Sequence, residues 1–447
     1  MHFLFTYEEF CIFIVNKTTM KKSALSLLFC LAFLANTGKA QTWSIVGGEL
    51  NSHITALYVY EGKLFVGGNF TNIDGDAAYG LAEWDGDAYS NRNTTLIGGL
   101  GIDNFSTYQG MLMAVGAFYD GIYGPGFVAV WDGTALVGDQ YRLNGNVYDL
   151  LAVDESFYVV GFFDEFEGTD YNHVAKFNGA YYETVGDGFE FPIGDLCMYN
   201  DQIIAGGGNG DALTYLSGTD WIDLGTGGPA GASMAVFQGE LYAIGCFDDA
   251  VDGTARYIAK WDGSTWSDVG GGLTGGFNCA RAIVATNDYL YVGGQFTGAG
   301  GVDVQNIARW DGSTWSAVGE GIPDQIINSL AIYDGYLYAG PMAVDFTNHL
   351  WKFNQIVSDV QDEASAQTEI HVYPNPAQSV MTISQNGIPS GSMDIQITDL
   401  SGRVVFTSTL TGISQQISVD DLAEGVYTIR YNQPDGAAGS VAFVVVH

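Results

Sequence analysis

Leu290-Tyr291-Val292-Gly293-Gly294-Gln295-Phe296, followed by Ile307-Ala308-Arg309-Trp310-Asp311-Gly312-Ser313-Thr314-Trp315-Ser316-Ala317-Val318-Gly319, is the clearest copy of a cycle repeated seven times at a period of about 46 residues. The "LYVGG" segment begins at Leu64, Leu112, Phe157, Ile203, Leu241, Leu290 and Leu337. Seven residues before each stands an apolar anchor: Leu57, Phe105, Leu150, Leu196, Met234, Ile283 and Leu330. The "WDG" position reads Trp84-Asp85-Gly86, Trp131-Asp132-Gly133, Phe177-Asn178-Gly179, Leu216-Ser217-Gly218, Trp261-Asp262-Gly263, Trp310-Asp311-Gly312 and Phe353-Asn354-Gln355. Asp-Gly and Asn-Gly between apolar runs predict hairpins, because Gly and Asn tolerate positive φ.

Each cycle therefore predicts four short strands. The first carries the anchor, the second is "LYVGG", the third ends in an aromatic residue, and the fourth is "WSxVG". The first cycle lacks its opening and begins with an orphan Trp43-Ser44-Ile45-Val46-Gly47, whereas the last stops at Trp351-Lys352-Phe353-Asn354. The strand missing at one end is surplus at the other, which is how a ring of repeats closes. The expected fold is all-β: a seven-bladed β-propeller closed by N- and C-terminal strands, then a small Ig-like β-sandwich. Composition agrees, with 61 Gly, 26 Tyr, 26 Phe and only 15% charged residues. No long stretch has an apolar period of 3.6. The recurrent Trp and Phe read as packing between blades, since large aromatics dominate buried area.

The formal charge is −36. The segment before Gln41 holds four Lys and two Glu, leaving 11 basic and 49 acidic residues after it. Nucleic acid is excluded as a partner, because phosphate binding needs clustered Lys and Arg. Anionic membranes are disfavoured for the same reason. Cys197, Cys246 and Cys279 lie at non-equivalent positions of separate cycles, without the CxxC spacing of a zinc site. They read as small buried residues, with room for one disulfide in an oxidising compartment.

In an up-and-down blade, the loop entering the first strand and the loop joining the second to the third share one face. Those second loops are acidic: Asp74 and Asp76; Asp120; Asp164, Glu165, Glu167 and Asp170; Asp248, Asp249 and Asp252; Asp303. The expected cation site is drawn from Asp74, Asp76, Asp164, Glu165, Glu167, Asp248, Asp249 and Asp252, with Ca2+ as the ion, because clustered carboxylates and loop carbonyls supply its six to eight oxygens. Polar residues early in the first strands sit near the axis on that face. They give the candidate ligand mouth: Asp103, Tyr148, Asp149, Asp195, Arg281 and Asn328, together with Thr55.

Catalytic patterns are sparse. A sialidase-like site needs clustered arginines, yet only Arg281 lies on an inner strand. Asp311-Gly312-Ser313-Thr314-Trp315 resembles an Asp-box turn but lacks a residue between Asp and Gly. A copper centre needs two imidazoles together, and His53, His173 and His349 fall in different cycles. Asp149 and Asp195 share a register in adjacent cycles, so they are the carboxylate pair to weigh. Held close, one would have its pKa raised and suit a general acid; a calcium ion between them is the other reading. Gly206-Gly207-Gly208 is a strand-end turn, not a phosphate loop, since no Lys-Ser/Thr or helix follows.

The ends address the chain. Met20-Lys21-Lys22 followed by the apolar run from Leu25 to Leu34, with Gly38 and Ala40 before Gln41, reads as a secretory signal peptide, and Met20 as its start. No later apolar stretch is long enough to span a bilayer. The expected domains are residues 1–40, the signal with an upstream extension; 41–355, the propeller; 356–369, a linker; and 370–447, the C-terminal domain.

Within that last segment stand Tyr373-Pro374-Asn375-Pro376, then Asp399-Leu400-Ser401-Gly402-Arg403, then Leu422-Ala423-Glu424-Gly425-Val426-Tyr427. This order resembles the type A sorting domain of the type IX secretion system, with Tyr373, Pro374, Asn375, Pro376, Gly402, Gly425 and Tyr427 as its motif residues. The resemblance implies a Bacteroidetes-type bacterium, passage through the outer-membrane secretion translocon, and removal of the domain by a sortase-like protease. The family usually ends in a basic residue before a short apolar tail, whereas this chain runs Ser440-Val441-Ala442-Phe443 to His447. More loosely, residues 43–354 resemble kelch-type and galactose-oxidase-central-domain propellers, which speaks to fold and not to activity.

The functional expectation is a secreted or surface-displayed binding module for a polysaccharide or an extracellular protein, without catalysis of its own. The alternative is a hydrolase or lyase acting on polysaccharide. A purely structural surface protein is the third reading.

Overall fold

The computed structural model describes residues 42–90, 99–119, 125–131, 133, 135–138, 143–166, 169–207, 213–229, 233–248, 250–276, 279–342, 348–357, 370–373, 379–385, 393–399, 403–410, 414–420, 422–423, 425–432 and 438–445. The regular structure of these residues is almost entirely β, in many small antiparallel sheets, with a single helical turn at Ala250–Gly253.

Six four-stranded sheets are each built from strands in chain order. The first is Ile54–Tyr60, Lys63–Gly68, Leu81–Trp84 and Tyr89–Ser90; the second is Gly99–Tyr108, Met111–Tyr119, Pro125–Trp131 and Leu136–Gly138. The third runs Asn146–Val153, Ser156–Phe162, Val174–Phe177 and Tyr182–Thr184; the fourth Asp195–Tyr199, Gln202–Gly206, Thr214–Ser217 and Asp220–Asp223. The fifth is Ser233–Phe237, Glu240–Ile244, Ile258–Trp261 and Trp266–Asp268; the sixth Cys279–Ala285, Leu290–Gln295, Ile307–Trp310 and Trp315–Ala317. The seventh takes three strands from one end of the described repeats, Ile326–Tyr333, Tyr336–Met342 and Asn348–Ile356, and its fourth, Trp43–Leu50, from the other, and the small hairpin Asn72–Ile73 with Asp76–Ala77 adds two more beside Leu50. Trp43 pairs with Phe353, Ser44 with Lys352, Ile45 with Trp351 and Val46 with Leu350. Each sheet's opening strand packs on that of the next, and the opening strand of the seventh packs on that of the first.

The turns between third and fourth strands are fixed locally. Asp262 Oδ1 accepts from the backbone N–H groups of Ser264 and Thr265, both at 2.8 Å, and Asp311 does the same with Ser313 and Thr314 at 2.8 and 2.7 Å. The glycine after each acid takes a left-handed φ, 98° at Gly263 and 95° at Gly312, which a Cβ would strain. These hydrogen bonds hold both carboxyls below the usual carboxylate range, Asp262 at about 2.

The core lies between sheets. One apolar cluster joins Phe65 and Leu81 of the first sheet to Ile102, Phe105 and Leu112 of the second. Another joins Tyr291 and Ile307 of the sixth to Leu337, Phe353 and Trp43 of the seventh. A single sheet has nowhere to bury both faces; stacked, each buried Leu or Phe contributes about 1.5–3 kcal/mol.

Two hydrogen bonds recur across the interfaces. A tyrosine ending the opening strand donates to a carbonyl in the next sheet's first hairpin: Tyr60 to Gly110, Tyr108 to Glu155, Tyr199 to Gly239 and Tyr333 to Gly62. An outer-strand indole donates to a carbonyl at the end of the preceding sheet: Trp221 to Val185, Trp266 to Leu224, Trp315 to Val269 and Trp43 to Val318.

Beyond residue 369 the described strands form two further sheets. One is Ile370–Tyr373, Val380–Gln385 and Ser414–Ser418; the other is Val404–Leu410, Met393–Asp399, Gly425–Asn432 and Ala438–Val445. Met381 and Ile383 of one share a buried cluster with Ile395, Ile397 and Ile429 of the other. Tyr427 lies in this cluster and donates its hydroxyl to the Ala423 carbonyl at 2.7 Å. Pro374, Asn375, Pro376 and Gly402 lie outside the described residues, Tyr373 is described through its backbone alone, and Gly425 opens a strand.

Candidate functional site

The anchors set a common frame for the seven opening strands. Two residues before the anchor, five of the strands carry a β-bulge, and the extra residue is Thr55, Asp103, Tyr148, Arg281 or Asn328. A bulge leaves one residue unpaired in the ladder and re-aims its side chain. The fourth sheet instead pairs in register from Asp195 to Tyr199, and the fifth from Ser233 to Phe237.

One residue before the anchor, at Asn104, Asp149 and Asp195, the side chains reach across to neighbouring sheets. Asp149 Oδ2 accepts from the backbone N–H of Leu196, the anchor of the next sheet, at 2.8 Å, and its Oδ1 accepts from Asn104 Nδ2 at 2.7 Å. Asp195 Oδ2 accepts from the N–H of Met234, again the next anchor, at 2.7 Å. Asn104, Asp149 and Asp195 thus tie the second, third, fourth and fifth sheets together. The two carboxyls stand close enough to act on each other. Burial raises both pKa values, and the charge of Asp149 raises Asp195 further. The pair therefore retains a shared proton above the usual carboxylate range. Asp149 is 5% exposed, so neither its position nor its occupied oxygens suit attack on a substrate.

The sequence-predicted mouth thus divides into two registers. Asp149 and Asp195 come together as interface struts, in the company of Asn104, which the sequence reading passed over. Its register alone could have flagged it. Asp103, Tyr148, Arg281 and Asn328 belong with Thr55 to the bulge set. Asp103 accepts from Asn146 Nδ2 at 3.2 Å; burial pushes its carboxyl up to about 6, against the pull of that amide. The Tyr148 phenol is raised by burial and then by the charge of Asp103. Thr55 donates its hydroxyl to the Ile102 carbonyl. Arg281 is exposed on the sixth sheet and Asn328 half-buried on the seventh.

The acidic loops begin as small hairpins, such as Asn72–Ile73 with Asp76–Ala77 and Glu165–Phe166 with Thr169–Asp170. Asp74 is tied back to Glu49, accepting from its N–H at 2.8 Å. Asn144, in the loop entering the third sheet, accepts from the N–H groups of Asp164 and Glu165 at 3.0 and 3.1 Å and donates to the Asp164 carboxylate. The two kinds of loop therefore share a face. Asp76, Asp164, Glu165 and Asp248 are exposed; Glu167, Asp249 and the side chain of Asp252 lie outside the described residues. Among the described residues no three carboxylate, imidazole or thiol groups converge as a set that could hold a metal ion.

Two of the three later cysteines form a disulfide. Cys246 follows the second strand of the fifth sheet, Cys279 opens the sixth, and they stand 33 positions apart in sequence. Cys197 is a free, half-buried thiol pushed up to about 12 by burial and by the neighbouring Asp195 and Asp149. Among the described residues no helix is long and apolar enough to cross a membrane.

Residues 371–445 match the secretion system C-terminal sorting domain family. That tail implies export to the cell surface or beyond and interaction with the type IX secretion machinery. No curated protein matches the chain in sequence. Among solved structures, the chain is similar to one described as the extracellular domain of a hybrid two component system from B. thetaiotaomicron: 10% identity over 89% of this chain and 57% of that one, TM-score 0.47. The chain thus spans little more than half of that domain's length. It is also similar to PorZ, a surface component of the type IX secretion system of Porphyromonas gingivalis, at 13% identity over 92% and 76% of the two chains, TM-score 0.22. Apo AztD from Citrobacter koseri matches at 10% identity over 82% and 89%, TM-score 0.35.

Proposed function

We propose that residues 41–355 form a seven-bladed β-propeller that serves as an exported binding module, with a polysaccharide or an extracellular protein as ligand. The C-terminal domain directs export through the type IX translocon and is removed by the processing protease. One observation carries the binding reading: five bulges fall at one register of the opening strands and set aside Thr55, Asp103, Tyr148, Arg281 and Asn328 at equivalent places. Bulges weaken a ladder locally, and such features tend to serve the side chain they re-aim. A hydroxyl, a carboxyl, a phenol, a guanidinium and an amide around one mouth make a recognition surface, not a reaction centre. The hydrolase or lyase reading would rest on Asp149 and Asp195, whose oxygens are engaged by the neighbouring sheets.

The test is a glycan, polysaccharide and extracellular-protein binding screen on the chain from Gln41 onward, with and without calcium. Binding that is lost on changing Arg281 and Asn328 to Ala, with no turnover of the ligand, supports the module. Turnover abolished by Asp149→Asn or Asp195→Asn would establish the enzyme instead.

A further inference from the structure

We infer that the second and third sheets carry a subsite for a neutral pyranose ring of a glycan, with Phe162 as its stacking face and Asn146, Asp103 and Tyr148 as its hydrogen-bonding groups. This rests on the binding-module reading above and locates its ligand.

Phe162 ends the second strand of the third sheet and is 61% exposed, the most of any large hydrophobic side chain among the described residues. It pairs directly with Asn146, so the two side chains leave the same face of the sheet. Asn146 spends its Nδ2 on Asp103 at 3.2 Å, while its buried Oδ1 has no partner. Buried amide oxygens are rarely left so. The Phe162 ring is stacked on His173, with centroids 6.2 Å apart and planes at 22°, which fixes the aromatic face. His173 is held by its N–H to the Phe163 carbonyl at 2.9 Å, adopts a left-handed φ of 70°, and also has an unpartnered buried Nδ1. The same left-handed φ and hydrogen bond recur at Gly80, Tyr257 and Asn306, so the repeat itself holds His173 in place beneath the ring. Asp103 and Tyr148 are both bulge residues, and the charge of Asp103 reaches the Tyr148 phenol.

A flat exposed ring beside an amide and a carboxyl matches a sugar, whose C–H face is apolar and whose vicinal hydroxyls both donate and accept. The net charge of −36 and the carboxyl at the site select a neutral sugar over a uronate or sulfated one.

The experiment is calorimetry of the chain from Gln41 onward with neutral probes (soluble β-glucan, mannan, xylan) and anionic ones (alginate, polygalacturonate). The expected result is binding of a neutral glycan, weakened at least tenfold by Phe162→Ala and by Asn146→Ala and kept by Phe162→Trp, at unchanged melting temperature for the Phe162 variants. If Asn146→Ala disturbs folding, the two Phe162 variants decide. A bound glycan whose affinity ignores Phe162→Ala overturns the subsite but leaves the binding module standing. Binding of anionic glycans alone, or of a protein with no glycan, also overturns it. No ligand of any class would overturn both readings.

Discussion

Trp43 donates its indole N–H to the carbonyl of Val318 at 2.9 Å, although the two stand 275 positions apart in sequence. It stands where Trp315 stands toward Val269 and Trp266 toward Leu224. Tyr333 completes the complementary relation on the inner side, donating to Gly62 as Tyr60 does to Gly110. The interface between the sixth and seventh sheets, one strand of which comes from the far end of the chain, is therefore built like the interfaces between consecutive ones.

Trp43→Ala should accordingly cost as much as Trp315→Ala. Trp43 is 7% exposed and packs on Phe353 at 5.2 Å between ring centroids. Truncating a buried Trp costs about 3–5 kcal/mol, and removal of residues 41–48 adds an open sheet edge. Thermal unfolding of both variants measures this. A melting temperature unchanged on deletion would mean that the strand does not close the cycle.

Asp195→Asn should remove a pH dependence rather than a contact. A carboxyl whose pKa is raised on folding binds its proton more tightly in the folded state. Its stabilising effect is present in full below the ordinary carboxylate pKa and is lost as pH rises through the raised folded value. The amide mimics the protonated acid, keeping an acceptor for Met234 N–H and a donor toward Asp149. The variant should match the native protein near pH 3, below the ordinary carboxylate pKa, and melt higher near pH 8. Parallel melting curves across that range would refute the shared proton.

Asp149→Ala should behave differently and destabilise at every pH. It strands the Leu196 N–H and the Asn104 amide at a buried interface, at about 1–3 kcal/mol for each orphaned group. Chemical denaturation at pH 5 and pH 8 checks this, since a purely electrostatic role would show its loss at one pH alone.

The repeat frame was legible because anchors and second strands keep one spacing, and that spacing predicted Trp43 beside Phe353. What the sequence reading blurred was a single-residue distinction. It put Asp103, Asp149 and Asp195 in one set, whereas the bulge residue at position 103 and the struts at 149 and 195 occupy successive registers with different partners. A bulge arises from how two strands pair, and no local composition marks it. The Cys246–Cys279 bond was hidden for a related reason: the two residues fall at different points of their cycles, and only the stacking of the fifth sheet on the sixth brings them together. Likewise Phe162 reads as one more strand aromatic until its exposure is known.

That disulfide should stabilise the chain substantially. Closing a loop of 33 residues reduces unfolded-state entropy by an amount worth roughly 4 kcal/mol at room temperature in the chain-entropy account. Cys246→Ala with Cys279→Ala, or a reducing agent, should lower the melting temperature, and the reductant should have no further effect on the double variant. Equal melting with and without reductant in the native protein would exclude a structural bond.

Processing is the last expectation, and it can be separated from folding. The segment from Ser358 to Thr368 is polar and carries no apolar anchor, the kind of stretch in which proteases cut. The sorting-family match begins just after it, at residue 371. The apolar cluster that includes Met381, Ile395 and Val445 is drawn from this C-terminal segment alone, so its loss deprives no inter-sheet cluster of a member. A chain ending at Val357 should therefore melt at the same temperature as the longer form. Mass spectrometry of the protein recovered from the cell surface or culture fluid should find a C-terminus within residues 358–368. Recovery of the surface form with Val446-His447 intact would show that the domain is retained.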